Sequence, residues 1–236
     1  MVLCCYLMKI DGELPEDLEE HFKEKNLSRI RIPDVKKALI SKAKSGKDEL
    51  KYFTGILYFK KIINDFDYQI MEDLNIKTDE KENTLSHSLG FIIFKDLKQI
   101  IFFNKRDGLA YGSKILSYLL FKKPDKIKKL SFDILKIFND YKKGLFSDLW
   151  YQGVRGSGSI TFTSQYGTKI DTDAEFIKKT DKYGLGVELN SGNLIGTKVA
   201  IYRSGTLNYL GEHKGSFIRE LNIRHQIINH FKKYLI

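Results

Sequence analysis

The sequence predicts an α+β protein built from mainly antiparallel sheets with helices on one face. The stretch Thr197–Gly211 alternates in hydrophobicity on both sides of Ser204-Gly205, which is typical of a strand, a tight turn and a second strand. From Ser216 onward the apolar residues recur about every three and a half positions, which predicts a long amphipathic helix. Because such a helix buries its apolar stripe on one face of the sheet, we expect the other face to be open.

Two halves of similar size are expected. A chain of 236 residues can form one large domain or two domains of about 100–120 residues. The predicted elements fall into an N-terminal α+β half at 1–125 and a C-terminal half at 126–236, and the composition changes in the region after Gly144. Both halves contain a strand, a turn, a strand and a helix in this order, which suggests an internal repeat.

In the N-terminal half, apolar runs and alternating patterns predict strands, and helical periodicity predicts helices. The expected strands are Val2–Ile10, Arg29–Ile32, Tyr52–Phe59, Asp65–Glu72, Leu89–Phe94 and Gln99–Phe103. The expected helices are Pro15–Lys25, Pro33–Lys44 and Leu109–Lys123, and the polar segment Asp79–Ser88 is expected to be a loop.

The C-terminal half is predicted to begin with an amphipathic helix, Ile127–Tyr141, whose ends and outer face are rich in lysine. A meander, a short helix and the hairpin described above follow. The expected strands before the hairpin are Leu149–Val154, Ser159–Ser164, Thr168–Asp171 and Leu185–Leu189, and the short helix is Asp173–Lys182.

The net charge of +10 favours a negatively charged partner, with nucleic acid first and an anionic membrane second. A lysine-rich proteome would explain the same excess without any partner. The two cysteines, Cys4 and Cys5, are adjacent, so they are poorly placed for a mutual disulfide and cannot form a thiolate zinc site, which favours a reducing cytoplasm. No run approaches the roughly 20 apolar residues of a membrane span, so we expect a soluble protein.

The C-terminal hairpin resembles part of a repeat of the TATA-box-binding protein family. The resemblance is carried by Ala200-Ile201-Tyr202 before Ser204-Gly205, the alternating strand, Gly211 and the long helix. It implies two helix-grip halves with helices on the convex side and DNA under the concave sheet. Arg203 departs from the family pattern, which has a small residue there, and the first-half turn Lys95–Lys98 contains no glycine. By the same register the resemblance implies DNA-facing positions at Ala200, Tyr202, Asn208 and Leu210, and at Ile92, Phe94, Ile100 and Phe102.

Independently of any family, an open sheet face with aromatic rings and nearby lysines suits nucleic acid, because the rings stack on bases and the lysines contact phosphate. Aromatic residues precede basic residues at Tyr58-Phe59-Lys60-Lys61, for example, and glycines around Arg155 form a segment that suits either a hairpin loop or an anion contact. We therefore expect a nucleic-acid-binding protein, with DNA as the nucleic acid, that uses no cofactor and performs no covalent chemistry. The predicted contact residues are Ile92, Phe94, Phe102, Lys105, Arg106, Arg155, Tyr202, Arg203 and Asn208.

Two alternatives remain open. Carboxylates that converge with a lysine could hold Mg²⁺ in a nuclease of a mobile-element or defence system, and the residues for such a site are Asp171, Asp173, Glu188 and Lys169. The open sheet face could instead meet a protein partner or a second copy of the chain. The five histidines lack the spacing of zinc ligands on a helix, and no nucleophile motif for acyl transfer is visible.

Overall fold

The fold is α+β, as the sequence predicts, and its sheet is open and mostly antiparallel. The computed structural model describes residues 5–23, 32, 34–46, 51–62, 74, 84–103, 108–142, 146–155, 158–162, 184–190, 192–209 and 216–236. Within these ranges the α-helices are α1 (Leu18–Lys23), α2 (Leu109–Phe121), α3 (Ile134–Lys142) and α4 (Phe217–Phe231). The strands are β1 (Cys5–Ile10), β2 (Val35–Ser45), β3 (Tyr52–Ile62), β4 (Thr84–Phe94), β5 (Gln99–Phe103), β6 (Ile127–Lys129), β7 (Phe146–Arg155), β8 (Gly158–Phe162), β9 (Gly184–Leu189), β10 (Lys198–Tyr202) and β11 (Thr206–Tyr209).

The chain divides into two compact units. The N-terminal unit is Met8–Lys128, and the C-terminal unit is Met1–Leu7 together with Lys129–Ile236. The division lies close to the boundary expected from the sequence at 125/126, but it also passes through β1, whose first residues group with the C-terminal unit.

The N-terminal unit contains the antiparallel strand order β2-β3-β4-β5. Side chains alternate between the two faces of a sheet, so Phe53, Leu57 and Phe59 of β3 lie on one face, which we call the covered face. The ring of Phe22 on α1 stacks on Phe53 with 5.2 Å between ring centroids. Helix α2 packs on the same face, since the backbone of Gly112 leaves no room for a Cβ beside Leu89 and Leu57.

The expectation of a helix at Pro33–Lys44 is wrong, because the residues from Val35 to Ser45 form strand β2. A β-bulge explains the misleading pattern. Val35 pairs with Lys61 and Lys37 with Lys60, so one extra residue lies between them. As a result Val35 and Ala38, three positions apart, are both buried, which imitates the spacing of a helix face.

Two further boundaries differ from the expectation. The predicted loop Asp79–Ser88 ends in strand structure, because β4 already begins at Thr84, and the polar Ser86 and Ser88 occupy its exposed positions. The predicted helix Ile127–Tyr141 is divided into β6 and α3, since the side chain of Asp133 accepts a hydrogen bond from the backbone N–H of Lys136 at 3.0 Å and starts a new helix there. The expected strands Asp65–Glu72 and Thr168–Asp171, the helix Asp173–Lys182 and most of the strand Arg29–Ile32 lie outside the described residues.

The C-terminal unit contains the strand order β1-β11-β10-β9-β7-β8, and each described strand pair in it is antiparallel. The predicted hairpin is confirmed, with β10 and β11 joined by a tight turn at 203–205. The predicted terminal helix is also confirmed: Ser216 caps α4 by accepting a hydrogen bond from the N–H of Arg219 at 3.3 Å. Its buried stripe is Leu221, Ile227, Ile228 and Phe231.

The helices within the described ranges include none with the length and apolar character needed to cross a lipid bilayer.

Candidate nucleic-acid interface

The aromatic and aliphatic positions expected in the first half lie in the core. Ile92 is 4% exposed, and Phe94 and Phe102 are fully buried, as is Ile100. Phe91 and Ile93, which point to the other face of β4, are equally buried, so both faces of the sheet are shielded from solvent at this end. In this structure these side chains therefore offer no surface on which a base could stack.

In the C-terminal unit, three of the predicted contact residues lie together on the β10–β11 hairpin. Tyr202 is half-buried at the end of β10, and Arg203 is exposed in the turn, where its carbonyl accepts a hydrogen bond from the N–H of Phe132 at 3.3 Å. Asn208 is half-buried opposite Ala200, and its Oδ1 is buried without a hydrogen-bond partner among the described groups. Ala200 itself has no exposed surface.

Arg155 is the last residue of β7 and pairs with Gly158, the first residue of β8. The described part of the glycine-rich segment, Gly153–Arg155 and Gly158, therefore lies in the two paired strands of a β-hairpin. The predicted contacts Lys105, Arg106 and Leu210 lie outside the described residues.

The structure shows a surface that the sequence prediction did not assemble. Tyr58 and Leu39 are paired in register on β3 and β2, on the face of the N-terminal sheet opposite α1 and α2, and they are 40% and 49% exposed. Ser88 of β4 pairs with Tyr58 on its other side and is also exposed. We call this surface the open patch: it consists of Lys37 and Leu39 on β2, Ile56, Tyr58 and Lys60 on β3, and Ser86 and Ser88 on β4.

The open patch is basic at one end. Lys37 pairs in register with Lys60, and Lys60 pairs with Ser86, so the two lysines lie in the row next to Tyr58. Strands β2, β3 and β4 contain no aspartate or glutamate, although the chain has 30 acidic residues. Their lysines are Lys36, Lys37, Lys42, Lys44, Lys60 and Lys61.

One lysine of this set has a role on the covered face. The Nζ atom of Lys61 lies 5.0 Å from the centre of the Tyr111 ring of α2, which is a cation–π contact. Phe59 lies on the same face, between Tyr111 and the stacked ring of His87 at 5.0 Å. The alternation of β3 therefore divides the basic and aromatic segment at 58–61, with Tyr58 and Lys60 in the open patch and Phe59 and Lys61 against α2.

The sequence contained a signal for this surface. The segments that form β2 and β3 both contain lysines and no acidic residue. If both segments are strands of one sheet, their positive charges come to lie side by side. The prediction of a helix at Pro33–Lys44 hid this signal, because a helix would not pair with β3 and its lysines would not share a sheet face with those of β3.

The residues of the nuclease alternative are mostly outside the described ranges: Asp171, Asp173 and Lys169 are not described. Glu188 lies on β9, where its Oε2 is 3.6 Å from the Nζ atom of Lys198, and Asp148 pairs with it in register. Within the described residues, no group of three or more histidine, cysteine or acidic side chains is arranged to hold a metal ion. The nuclease hypothesis stays a prediction.

Neither the protein-family models nor the curated proteins include a match to this chain. The resemblance of the β10–β11 hairpin to a repeat of the TATA-box-binding protein family therefore stays a prediction from the sequence.

Proposed function

We propose that this protein binds nucleic acid through the open patch, and that it does so without covalent chemistry. The observation that carries the proposal is the exposed ring of Tyr58, which lies in the middle of a surface formed by three strands whose own residues include lysines and no aspartate or glutamate. An exposed aromatic ring beside cationic side chains has the two components of sequence-tolerant nucleic-acid binding, a stacking surface and phosphate contacts. DNA is the first choice of ligand, because the sequence resemblance of the second hairpin is to a DNA-binding family.

The charge of the whole chain supports the proposal. A net charge of +10 attracts a polyanion over a distance comparable to the Debye length, which is about 8 Å at physiological salt. The local arrangement adds to this attraction, because Lys37 and Lys60 pair in register and place their side chains on the same face as Tyr58.

A salt titration tests the proposal. We expect the fluorescence anisotropy of a fluorescein-labelled 20-nucleotide DNA to increase when the protein is added at low salt. The logarithm of the association constant should then fall linearly with the logarithm of the salt concentration. Absence of binding at low salt would reject nucleic acid as the ligand.

The variant Lys37→Ala assigns the binding to the open patch. We expect weaker binding and a salt slope that is smaller by roughly 0.7 for single strands or 0.9 for duplex, since each phosphate contact releases counterions. The matched control is Lys114→Ala, which removes the same charge from the exposed side of α2 on the covered face. If both substitutions weaken binding by the same factor, the affinity depends on the total charge of the protein and the open patch is not the site.

A further inference from the structure

We propose that the open patch takes single-stranded nucleic acid with little base preference, and that it does not accept duplex in the same way. This inference rests on the proposed nucleic-acid binding and adds the class of ligand. It follows from the width of the surface, the position of Tyr58 and the kinds of side chain around it.

The open patch is too broad to enter a duplex groove. It extends over β2, β3 and β4, whose outer strands are separated by about 10 Å before side chains are added, since neighbouring strands lie about 4.8 Å apart. The major groove is about 12 Å wide and admits a helix or a two-stranded ribbon. A duplex could therefore contact this face only through its phosphates. These phosphates would contact Lys37 and Lys60, but no base would stack on Tyr58.

Tyr58 needs an exposed base as its partner. In a duplex each base is stacked between its neighbours, whereas a single strand can present the face of an unpaired base to an aromatic ring. Leu39 lies directly opposite Tyr58, and Ile56 lies two residues away on the same face, so both extend the apolar platform on which a base would lie.

The open patch has few groups that can read base edges. Bidentate recognition of a base edge uses arginine, lysine, asparagine or glutamine, and aspartate or glutamate accept from cytosine. Strands β2–β4 contain no arginine, asparagine, glutamine, aspartate or glutamate, and the polar groups of the open patch are the hydroxyls of Tyr58, Ser86 and Ser88 and the ammonium groups of two lysines. The lysines lie one row from Tyr58, where they suit the phosphates on either side of a stacked base. Binding should therefore depend weakly on sequence.

The experiment compares four labelled DNA ligands at one low salt concentration: oligo-dT, oligo-dA, a mixed 20-nucleotide strand and the duplex of that mixed strand. We expect the mixed single strand to bind at least about 10-fold more tightly than its duplex, and the homopolymers to lie within about 10-fold of each other. Tyr58→Ala should weaken single-strand binding between about 5-fold and about 150-fold, the range measured for loss of one base–aromatic stack, and leave weak duplex binding unchanged.

Tyr58→Phe and Tyr58→Leu are the controls. Phenylalanine keeps the ring and should keep most of the affinity, whereas leucine keeps apolar volume without a π face and should behave like alanine. Because Leu preserves bulk, it tests the inference even if Tyr58→Ala does not fold, as judged by its melting curve. Duplex binding as tight as single-strand binding, with no effect of Tyr58→Leu, would overturn this inference and leave the proposed function standing. Absence of binding to all four ligands would overturn both.

Discussion

A single glycine allows the β10–β11 turn to pack against other segments of the same chain, near Leu7 and Leu130. Gly205 has a φ of 81°, a backbone conformation that favours glycine, and its N–H donates to the carbonyl of Tyr202 at 3.0 Å. A Cβ at this position would collide with the carbonyl oxygen of Leu130, and the carbonyl of Gly205 accepts a hydrogen bond from the N–H of Leu7 at 3.0 Å. The turn therefore carries both a backbone constraint and a packing constraint.

We expect Gly205→Ala to lower the free energy of unfolding by more than the roughly 1–2 kcal/mol that a positive φ alone costs an L-residue. The control is Gly196→Ala, since Gly196 has a similar φ of 78° but open space where the Cβ would lie. Urea unfolding of both variants separates the two contributions. Equal losses would show that the Leu130 contact has no energetic effect.

At the level of the elements, helix α4 carries a partly buried titratable group, His230, near its C-terminal end. Partial burial, followed by the positive charge of Lys233, lowers the pKa of His230 below its ordinary value of 6.5. The 3-10 turn after α4 holds Tyr234, which is 1% exposed and donates its hydroxyl to Asp140 on α3 at 2.8 Å. The end of α4 is thus joined to α3 by a part-buried hydrogen bond, and the ion pair between Lys233 and Asp140 at 3.3 Å lies beside it.

The lowered pKa of His230 predicts a pH dependence of stability. The unfolded chain binds the proton first as the pH falls through 6.5, so the free energy of unfolding should decrease from pH 7 towards the lower pKa of the folded state. His230→Gln removes this titration and should show a smaller decrease between pH 7 and pH 5. Urea unfolding of both proteins at the two pH values measures the difference, and identical decreases would contradict the assignment.

Strand β2 shows why the type of a single element can be predicted wrongly from the sequence. The hydrophobic period separates strand from helix only where the sheet is regular, and the bulge after Val35 shifts the phase so that Val35 and Ala38 are both buried. A second register shift follows Ser41. By contrast, the hairpins at β4–β5 and β10–β11 depend on local turn chemistry, and the sequence predicts both of them as well as the helix that follows Ser216.

For the whole molecule, the fold class follows from the sequence, but the candidate surface does not. Alternation predicts which residues of one strand share a face, but it gives neither the register between strands nor the face that other elements cover. Phe102 lies on the face opposite Ile92 and Phe94, and all three are buried where exposure was expected. The burial of these residues depends on contacts between segments distant in the chain. Tyr58 lies on the face opposite α1 and α2, at the end of the sheet where this face is exposed, whereas Ile92 and Phe94 lie on the same face and are buried.

Photocrosslinking tests the central claim most directly. A single-stranded DNA that carries 5-iodouracil is irradiated in complex with the protein, and the attached tryptic peptides are identified by mass spectrometry. Base stacking on Tyr58 predicts attachment to the peptide Tyr52–Lys60, and Tyr58→Leu should remove it. Attachment only to peptides outside β2–β4 would contradict the open patch as the nucleic-acid interface.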